Sequence, residues 1–469
     1  MSDRSEVLWA PRAWLHVPGA RGGAWREHVV LRIGADGRWA DVTPGIAEPP
    51  PGATVLEGAV LPGLVDTHSH AFQRAFAGLA ERRESGADDF WSWRDRMYRV
   101  ALRVTPALLH AVAAQLYVEL LAGGYTQVCE FHYLQHREDG TPYDDPLALA
   151  WAVADAAADA GIGATLLPAL YERAGFAQPE LRDDQRRFRA HAGFVWNAAQ
   201  RIAAAGRRLL GAGIAVHSLR AATPESIAEL RGLADGWAGP IHIHVAEQSA
   251  EAEECLGATS ARPIEWLARE RLLDARWQLV HATHATRDEI DAVAASGAAV
   301  VICPTTEGNL GDGLADLPGW LEAGVPISIG SDSHVGRDWR EELRWLDYGQ
   351  RLVLHQRNVA AAPAAGEPST AARLFEHAVR AGGAAAGETL WGLCKGARAD
   401  ALVADPRDPA LAGIPALRLL DAIVFSGPAR PWRDVMVAGR WGIRDRVHPQ
   451  GDAIAARFAD AMDALWHDG

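Results

Sequence analysis

The stretch LPGLVDTHSH, which spans residues 61–70, starts as an apolar strand and ends in an aspartate and two histidines. Strand interiors normally exclude ionisable side chains unless these are paired or bind a metal ion. His68 and His70 are two positions apart, so on a β-strand both side chains point to the same face. Alone, this spacing is weak evidence for a metal site, because histidine pairs are common on protein surfaces. Other motifs in the chain are needed to distinguish a metal site from an ordinary pair of histidines.

Composition indicates a soluble globular protein, and the length suits either up to about three average domains or one large α/β barrel with an accessory module. The chain has 469 residues, of which 49% are hydrophobic and 23% charged. Its formal net charge of −14 disfavours nucleic acid and anionic membranes as partners. Nearly all basic residues are arginine, and Lys395 is the only lysine. An anionic small-molecule substrate would therefore have to meet a local cluster of arginines.

The four cysteines are far apart and form no CxxC pair, which favours free thiols in a reducing compartment. They are Cys129, Cys255, Cys303 and Cys394. The N-terminal residues MSDRSEVLWAPRAW contain no continuous apolar segment of the signal-peptide kind. No apolar run in the chain approaches the ~18 residues of a membrane span. We therefore expect a cytoplasmic protein.

Apolar strand-like runs alternate with helical segments from residue 59 to residue 389. The runs are AVLPGLVDTHSH, TQVCEFHY, IGATLLPALY, GIAVHSL, PIHIHVAE, WQLVHATH, AAVVICPT and VPISIGSD. Near-continuous apolar strands alternating with helices are typical of a parallel sheet covered on both faces. Eight such units in about 300 residues predict an α/β fold of the (β/α)8 barrel type. A doubly wound open sheet is the alternative.

Helix starts in this region are marked by capping residues. Thr105, Asp145 and Thr223 are each followed by a proline, the arrangement of an N-cap before the first helical position. Thr286 and Glu289 have the spacing of a capping box. These signals predict helices that begin at residues 106, 146, 224 and 287.

Both ends of the chain have β character. Residues 1–58 contain short β-like segments and end in the proline-rich AEPPPGA, and β-like runs return after about residue 390, before a final helix. We expect residues 1–58 and 390–469 to form one small β-sandwich module beside the barrel of residues 59–389.

Polar side chains follow several of the predicted barrel strands. Strand five supplies His244 and Glu247, strand six supplies His281 or His284, and strand eight supplies Asp332. In a (β/α)8 barrel the carboxyl ends of the strands meet at one face, where the functional groups lie. Together with the two histidines of strand one, these residues offer a nitrogen and oxygen ligand set. Such a set suits one divalent ion, Zn²⁺ or Fe²⁺, with a position left open for water.

This order of motifs resembles the amidohydrolase superfamily, whose barrels carry HxH on strand one and an aspartate on strand eight. Many binuclear members also use a carboxylated lysine after strand four. Because the barrel region here has no lysine, the resemblance implies the mononuclear, deaminase-like branch. It implies as metal ligands His68, His70, His244 and Asp332.

The same resemblance implies roles for the side chains in catalysis. Asp332 would also accept a proton from the attacking water. Glu247 would protonate the nitrogen that is bonded to the carbon attacked by the water, and it would also deliver a proton to the leaving group. His281 would stabilise the oxygen of the tetrahedral intermediate.

Longer motifs narrow the resemblance to one family within the superfamily, the formimidoylglutamate deiminases. They include HSHAFQRAFAGLAE, DDFWSWRDRMYRVA, HIHVAEQ, TEGNLGDG and EELRWLDYGQRL, and they extend over nearly the whole chain. The resemblance implies hydrolysis of N-formimidoyl-L-glutamate to N-formyl-L-glutamate and ammonia, a step of histidine degradation, and a homodimer. One departure is CPTTEGNLG, residues 303–311, which contains no implied ligand.

A dicarboxylate with an amidine-like head requires cations in the pocket, and arginine is the planar, bidentate partner of a carboxylate. By resemblance, Arg94, Tyr133, His217 and Arg220 would hold the carboxylates. Gln73 could hydrogen-bond the formimidoyl nitrogen. Each has a plainer alternative: ordinary surface or ion-paired arginines, a tyrosine that caps the core, or a histidine satisfied within the core.

Two further hypotheses compete with this one. A guanine-deaminase-like enzyme would share every metal ligand, but would need aromatic stacking and amide contacts instead of carboxylate-binding groups. A catalytically inactive scaffold would keep only the barrel, and such proteins are expected to have lost ligands, of which none is missing here.

Overall fold

The computed structural model describes residues 6–16, 22–83, 88–427 and 431–466. In chain order its strands are β1 Val7–Leu15, β2 Ala24–Ile33, β3 Trp39–Thr43, β4 Thr54–Val55, β5 Val60–Leu61, β6 Leu64–Ser69, β7 Tyr125–His132, β8 Gly163–Leu170, β9 Leu210–Ala212, β10 Ile214–Val216, β11 Ile241–Val245, β12 Trp277–His281, β13 Ala299–Ile302, β14 Ile327–Ile329, β15 Ala401–Ala404, β16 Trp432–Val437 and β17 Arg440–Ile443.

The α-helices are α1 Phe90–Arg103, α2 Pro106–Ala122, α3 Ala148–Ala160, α4 Ala192–Ala204, α5 Pro224–Leu233, α6 Ser249–Thr259, α7 Pro263–Arg269, α8 Arg287–Ser296, α9 Pro304–Leu310, α10 Leu317–Glu322, α11 Trp339–Leu354, α12 Thr370–Ala385, α13 Leu419–Phe425 and α14 Gly451–Trp466. Within the described ranges, no single helix is long and apolar enough to cross a membrane. Helices α1 and α2 meet that test only as a pair, bent by 120°.

Eight parallel strands form the barrel that the alternating pattern predicts. They are β6, β7, β8, β10, β11, β12, β13 and β14, hydrogen-bonded in that order. Every residue of these strands is buried, because side chains fill the barrel interior and helices cover its outer surface.

The barrel closes between β6 and the residues that follow β14, so the alternative of an open sheet is wrong. The backbone N–H of Asp332 donates to the carbonyl of His68 (2.9 Å), and the N–H of His70 donates to the carbonyl of Asp332 (3.2 Å). A Cβ atom on Gly330 would lie 2.6 Å from the Cβ of His68, so this approach requires glycine. We call this junction the barrel seam.

Three of the four predicted helix starts are confirmed. The side chains of Thr105, Thr223 and Thr286 accept hydrogen bonds from backbone N–H groups in the first turns of α2, α5 and α8. The predicted start at residue 146 is wrong, since α3 begins at Ala148. The carboxylate of Asp145 instead accepts hydrogen bonds from Leu147 N–H and Trp151 Nε1–H, both at 3.0 Å, and holds a turn before the helix.

The predicted module from both chain ends is confirmed as a sheet separate from the barrel. Its strands are hydrogen-bonded in one continuous sheet, in the order β17-β16-β15-β5-β1-β2-β3, with β4 beside β1. Val60–Leu61 belong to this sheet, because β5 pairs with β1 and β15. Helix α14 lies against the barrel instead, where the Trp466 ring stacks on Phe76 and its Nε1–H donates to the carbonyl of Ala75 (3.0 Å).

Candidate active site

Four predicted metal ligands converge at the carboxyl ends of the barrel strands. The Nε2 atom of His244 lies 3.0 Å from Nε2 of His68 and 3.3 Å from Nε2 of His70. Oδ1 of Asp332 lies 3.4 Å from both His68 Nε2 and His70 Nε2. A tetrahedral zinc ion with ligands at 2.0–2.1 Å separates those ligands by about 3.3–3.4 Å. These four separations are close to that value, so the cluster could hold a metal ion.

Hydrogen bonds fix the tautomers of two of these histidines. Nδ1 of His70 lies 3.0 Å from the carbonyl of Phe131, and Nδ1 of His244 lies 2.8 Å from the carbonyl of His217. A carbonyl can only accept, so each Nδ1 carries the proton and each Nε2 presents a lone pair. Two lone pairs 3.3 Å apart cannot hydrogen-bond to each other. They fit a cation placed between them.

Burial keeps the imidazoles in the form that binds a metal. It is the largest cause of the lowered pKa of His68, His70 and His244. Metal binding requires neutral imidazole, so these side chains can coordinate a metal ion at neutral pH.

The backbone around the site contains several non-glycine residues with positive φ. These are Ala246 (50°), His281 (69°), Ala282 (49°), Asp332 (50°) and His334 (64°), which follow or end β11, β12 and β14. Such conformations cost of order 1–3 kcal/mol each and concentrate at functional sites. Here they occur where the strands turn into the loops that carry the site.

Glu247 and His281 lie beside the ligand cluster. Nε2 of His281 is 3.6 Å from Oε1 of Glu247 and 3.9 Å from Oδ2 of Asp332. Burial raises the pKa of Glu247 to about 7, which suits a group that takes up and releases protons near neutrality. Burial lowers the pKa of His281, but nearby carboxylates outweigh it and raise that pKa to about 10.

All five residues predicted to bind substrate line one cavity with three of the four predicted metal ligands. They are Gln73, Arg94, Tyr133, His217 and Arg220, and they share the cavity with His70, His244, Glu247, His281 and Asp332. The amide of Gln73 donates to the hydroxyl of Tyr133 (3.1 Å). The buried Oε1 of Gln73 has no hydrogen-bond partner among the described residues, so it is available to a ligand.

The two arginines of this cavity are poorly paired. Arg220 is 8% exposed, and its guanidinium has no hydrogen bond or ion pair within the part of the chain that the structure describes. Among the described residues, the guanidinium of Arg94 makes an ion pair with Asp95 alone, at 3.4 Å. Both lie over the ring of Trp91, with Cζ at 4.7 Å for Arg94 and 5.3 Å for Arg220. A buried cation without a carboxylate partner is costly, and an anionic ligand would remove that cost.

The other candidate histidines lie outside the ligand cluster. Of the two choices on strand six, His281 reaches the site, while His284 lies beyond the strand end. His242 lies deeper in the barrel, where Nε2 is 3.0 Å from the carbonyl of Ala385. His334 is buried between Ser331 and Ser69, with its ring nitrogens 2.9 and 3.3 Å from their hydroxyls.

Sequence reasoning missed two residues at the site. Cys303, directly after β13, offers a sulfur within 4.8 Å of ligand atoms of His281 and Asp332. Glu307, in α9, has its Oε1 3.4 Å from Nδ1 of His281. Both belong to CPTTEGNLG, the departure that contains no implied ligand. Both residues follow the seventh barrel strand, and this position in the sequence could have indicated that they lie at the active-site end of the barrel.

Residues 59–442 match the amidohydrolase family. The chain is 44% identical over 446 residues to a formimidoylglutamate deiminase of Pseudomonas aeruginosa, covering 94% of this chain and 96% of that protein. It superposes on an amidohydrolase from Brucella melitensis with a TM-score of 0.91 and 39% identity, covering 98% and 99% of the two chains. An adenosine deaminase from Xanthomonas campestris with bound zinc has the same fold (TM-score 0.78, 22% identity, 98% of each chain). The chain therefore belongs to the amidohydrolase family.

Proposed function

We propose that this enzyme, a hydrolase of C–N bonds, converts N-formimidoyl-L-glutamate to N-formyl-L-glutamate and ammonia in histidine degradation. The buried and unpaired guanidinium of Arg220 is the observation that carries the proposal. The deiminase name of the Pseudomonas aeruginosa relative, 44% identical to this chain, supports it independently.

The charges around the cavity match this substrate. The guanidinium groups of Arg94 and Arg220 both lie over the indole ring of Trp91, where they can bind the two carboxylates of the substrate. The carboxylates of Glu247 and Asp332 lie near His281, where they can bind the cationic formimidoyl group of the substrate. A neutral purine would leave the buried guanidinium of Arg220 unpaired, so a guanine-deaminase-like activity fits the cavity less well.

We further propose one zinc ion as the cofactor, held by His68, His70, His244 and Asp332. Three imidazole nitrogens and one carboxylate oxygen form a common ligand set of this metal. When bound there, the ion would lower the pKa of the attacking water to about 7.

The side chains then have separate tasks during hydrolysis. Oδ2 of Asp332 is free of the ligand set and can take the proton of the water that attacks the formimidoyl carbon. Glu247 can carry protons to the nitrogen that leaves as ammonia, since its pKa is about 7. His281 can donate a hydrogen bond from Nε2 to the oxygen of the tetrahedral carbon. The amide oxygen of Gln73 can accept a hydrogen bond from the formimidoyl N–H.

An ammonia-release assay tests the proposal. The zinc-loaded protein is given N-formimidoyl-L-glutamate, N-formimidoylglycine, which lacks the second carboxylate, and guanine. We expect turnover of N-formimidoyl-L-glutamate and a much lower kcat/KM for N-formimidoylglycine. Ammonia from guanine alone would contradict the proposal, and equal kcat/KM for the two formimidoyl compounds would contradict the role of the arginines.

We also propose a cytoplasmic homodimer. Four cysteines that are buried and free support a reducing compartment. An exposed apolar face on α11, formed by Trp345 (47% exposed), Tyr348 (37%) and Leu352 (73%), supports self-association. Light scattering should give twice the chain mass, and Leu352→Glu should reduce it to one chain mass. A monomeric wild-type protein would contradict the proposal.

A further inference from the structure

Glu307 is a buried carboxylate next to the site that the proposed function leaves without a role. It lies in the first turn of α9 and is 3% exposed. Its Oε1 accepts a hydrogen bond from the backbone N–H of Cys303 (2.9 Å), which ties the carboxylate to the end of β13. It does not line the cavity that contains the predicted substrate residues. Contact with substrate is therefore not its task.

The same oxygen faces His281. Oε1 of Glu307 lies 3.4 Å from Nδ1 of His281, a ring that is only 1% exposed. A carboxylate can only accept, so this contact places a proton on Nδ1. On the other side of the ring, Nε2 faces Oε1 of Glu247 at 3.6 Å. Glu307 and Glu247 thus contact opposite ring nitrogens, and Glu307 is the partner further from the substrate.

We propose that Glu307 is a positioning residue for His281. The anchored carboxylate holds Nδ1–H and the ring plane, so that Nε2 is aimed at the oxygen that forms on the substrate carbon. A ring without this partner could rotate, and its hydrogen bond to that oxygen would weaken. The inference rests on the proposed role of His281.

A double-mutant cycle on N-formimidoyl-L-glutamate hydrolysis tests whether Glu307 acts through His281. We expect Glu307→Ala to lower kcat about 10- to 100-fold with KM changed less than about twofold, the range usual for loss of a supporting hydrogen bond at an active site. In a His281→Asn background, Glu307→Ala should cause no further loss, because the ring that it orients is gone. Glu307→Gln keeps an accepting oxygen and should retain more activity than Glu307→Ala.

A spectroscopic readout separates orientation from a general loss of structure. In ¹⁵N-histidine-labelled protein, the signals that disappear in His281→Asn belong to His281. They should show a protonated Nδ1 in the wild type and in Glu307→Gln, and a changed pattern in Glu307→Ala. Glu342→Gln is a matched control, because Glu342 is also buried near α9 but hydrogen-bonds Thr305 instead of His281. It should leave these signals unchanged.

Two results would overturn the inference. One is full additivity of Glu307→Ala and His281→Asn, and the other is an unchanged His281 spectrum in Glu307→Ala. Failure of the proposed function looks different, since the wild-type protein would then release no ammonia from N-formimidoyl-L-glutamate, while the ¹⁵N experiment would still report on the contact.

Discussion

Replacing Arg220 with methionine should lower activity strongly and change the stability of the free protein little. Methionine keeps most of the side-chain volume and removes the charge. In the free protein Arg220 is 8% exposed, and its guanidinium is without a hydrogen bond or ion pair in the described part of the chain. With a dicarboxylate bound, the same group gains a charge-assisted partner.

The expected magnitudes follow from these two states. Removing one member of a buried charge pair costs about 2–4 kcal/mol of binding, which lowers kcat/KM for N-formimidoyl-L-glutamate by about 30- to 1,000-fold. In the free protein, relief of the desolvation penalty is offset by loss of the attraction that Glu251 and Glu247 exert on the guanidinium, so the free energy of unfolding of Arg220→Met should change by less than about 1 kcal/mol.

The assays are steady-state ammonia release and urea unfolding of the substrate-free protein. Arg276→Met is the control, because Arg276 binds Asp274 and the carbonyls of Ala234 and Trp237 near the start of β12, away from the site. It should lower stability and leave kcat/KM unchanged. If Arg220→Met lowers stability and retains normal kcat/KM, Arg220 is a structural residue and its role in substrate binding is wrong.

Three further predictions concern the proton carrier, the metal and one distant histidine. Glu247→Gln should retain the metal and the fold while kcat falls about 10²- to 10⁴-fold; normal turnover would exclude its role. A chelator should abolish ammonia release and lower the unfolding temperature, and Zn²⁺ should restore both; full activity without metal would contradict the site. Burial, with Arg373 and Arg380, lowers the pKa of His377 from 6.5 to about 4, so only the unfolded chain takes up this proton as the pH falls through 6.5. His377→Gln should therefore gain about 1.3 kcal/mol of unfolding free energy relative to the wild type between pH 7.5 and pH 5.5, and parallel stability curves would refute this.

The barrel and the ligand cluster could be predicted because local patterns specify them. Two-residue spacing puts His68 and His70 on one face, and barrel topology then brings His244 and Asp332 to the same end of the sheet. The threonine N-caps could also be predicted from the sequence, since each cap depends on only a few neighbouring residues. The predicted helix start after Asp145 was wrong because the Asp145 carboxylate accepts hydrogen bonds from Leu147 and Trp151 in a turn that precedes the helix.

Features that depend on contacts between residues far apart in the sequence could not be predicted from local patterns. Val60–Leu61 join the second sheet because β15, more than 300 residues later, provides a partner. The final helix α14 packs on the barrel through contacts such as Trp466 with Ala75. Glu307 approaches His281 only because β12 and β13 are neighbours in the barrel. No local periodicity encodes that proximity.

The barrel seam has a consequence for biosynthesis. Its two sides come from His68 and Asp332, which are separated by 264 positions (332 minus 68) in the chain. A nascent polypeptide that ends before β14 therefore lacks both one strand of the barrel and one of the four proposed metal ligands. The proposed ligand set can bind a metal ion completely only after the last barrel strand and Asp332 have left the ribosomal exit tunnel. The amount of bound metal per chain in a purified sample should therefore report the fraction of molecules that have completed the barrel.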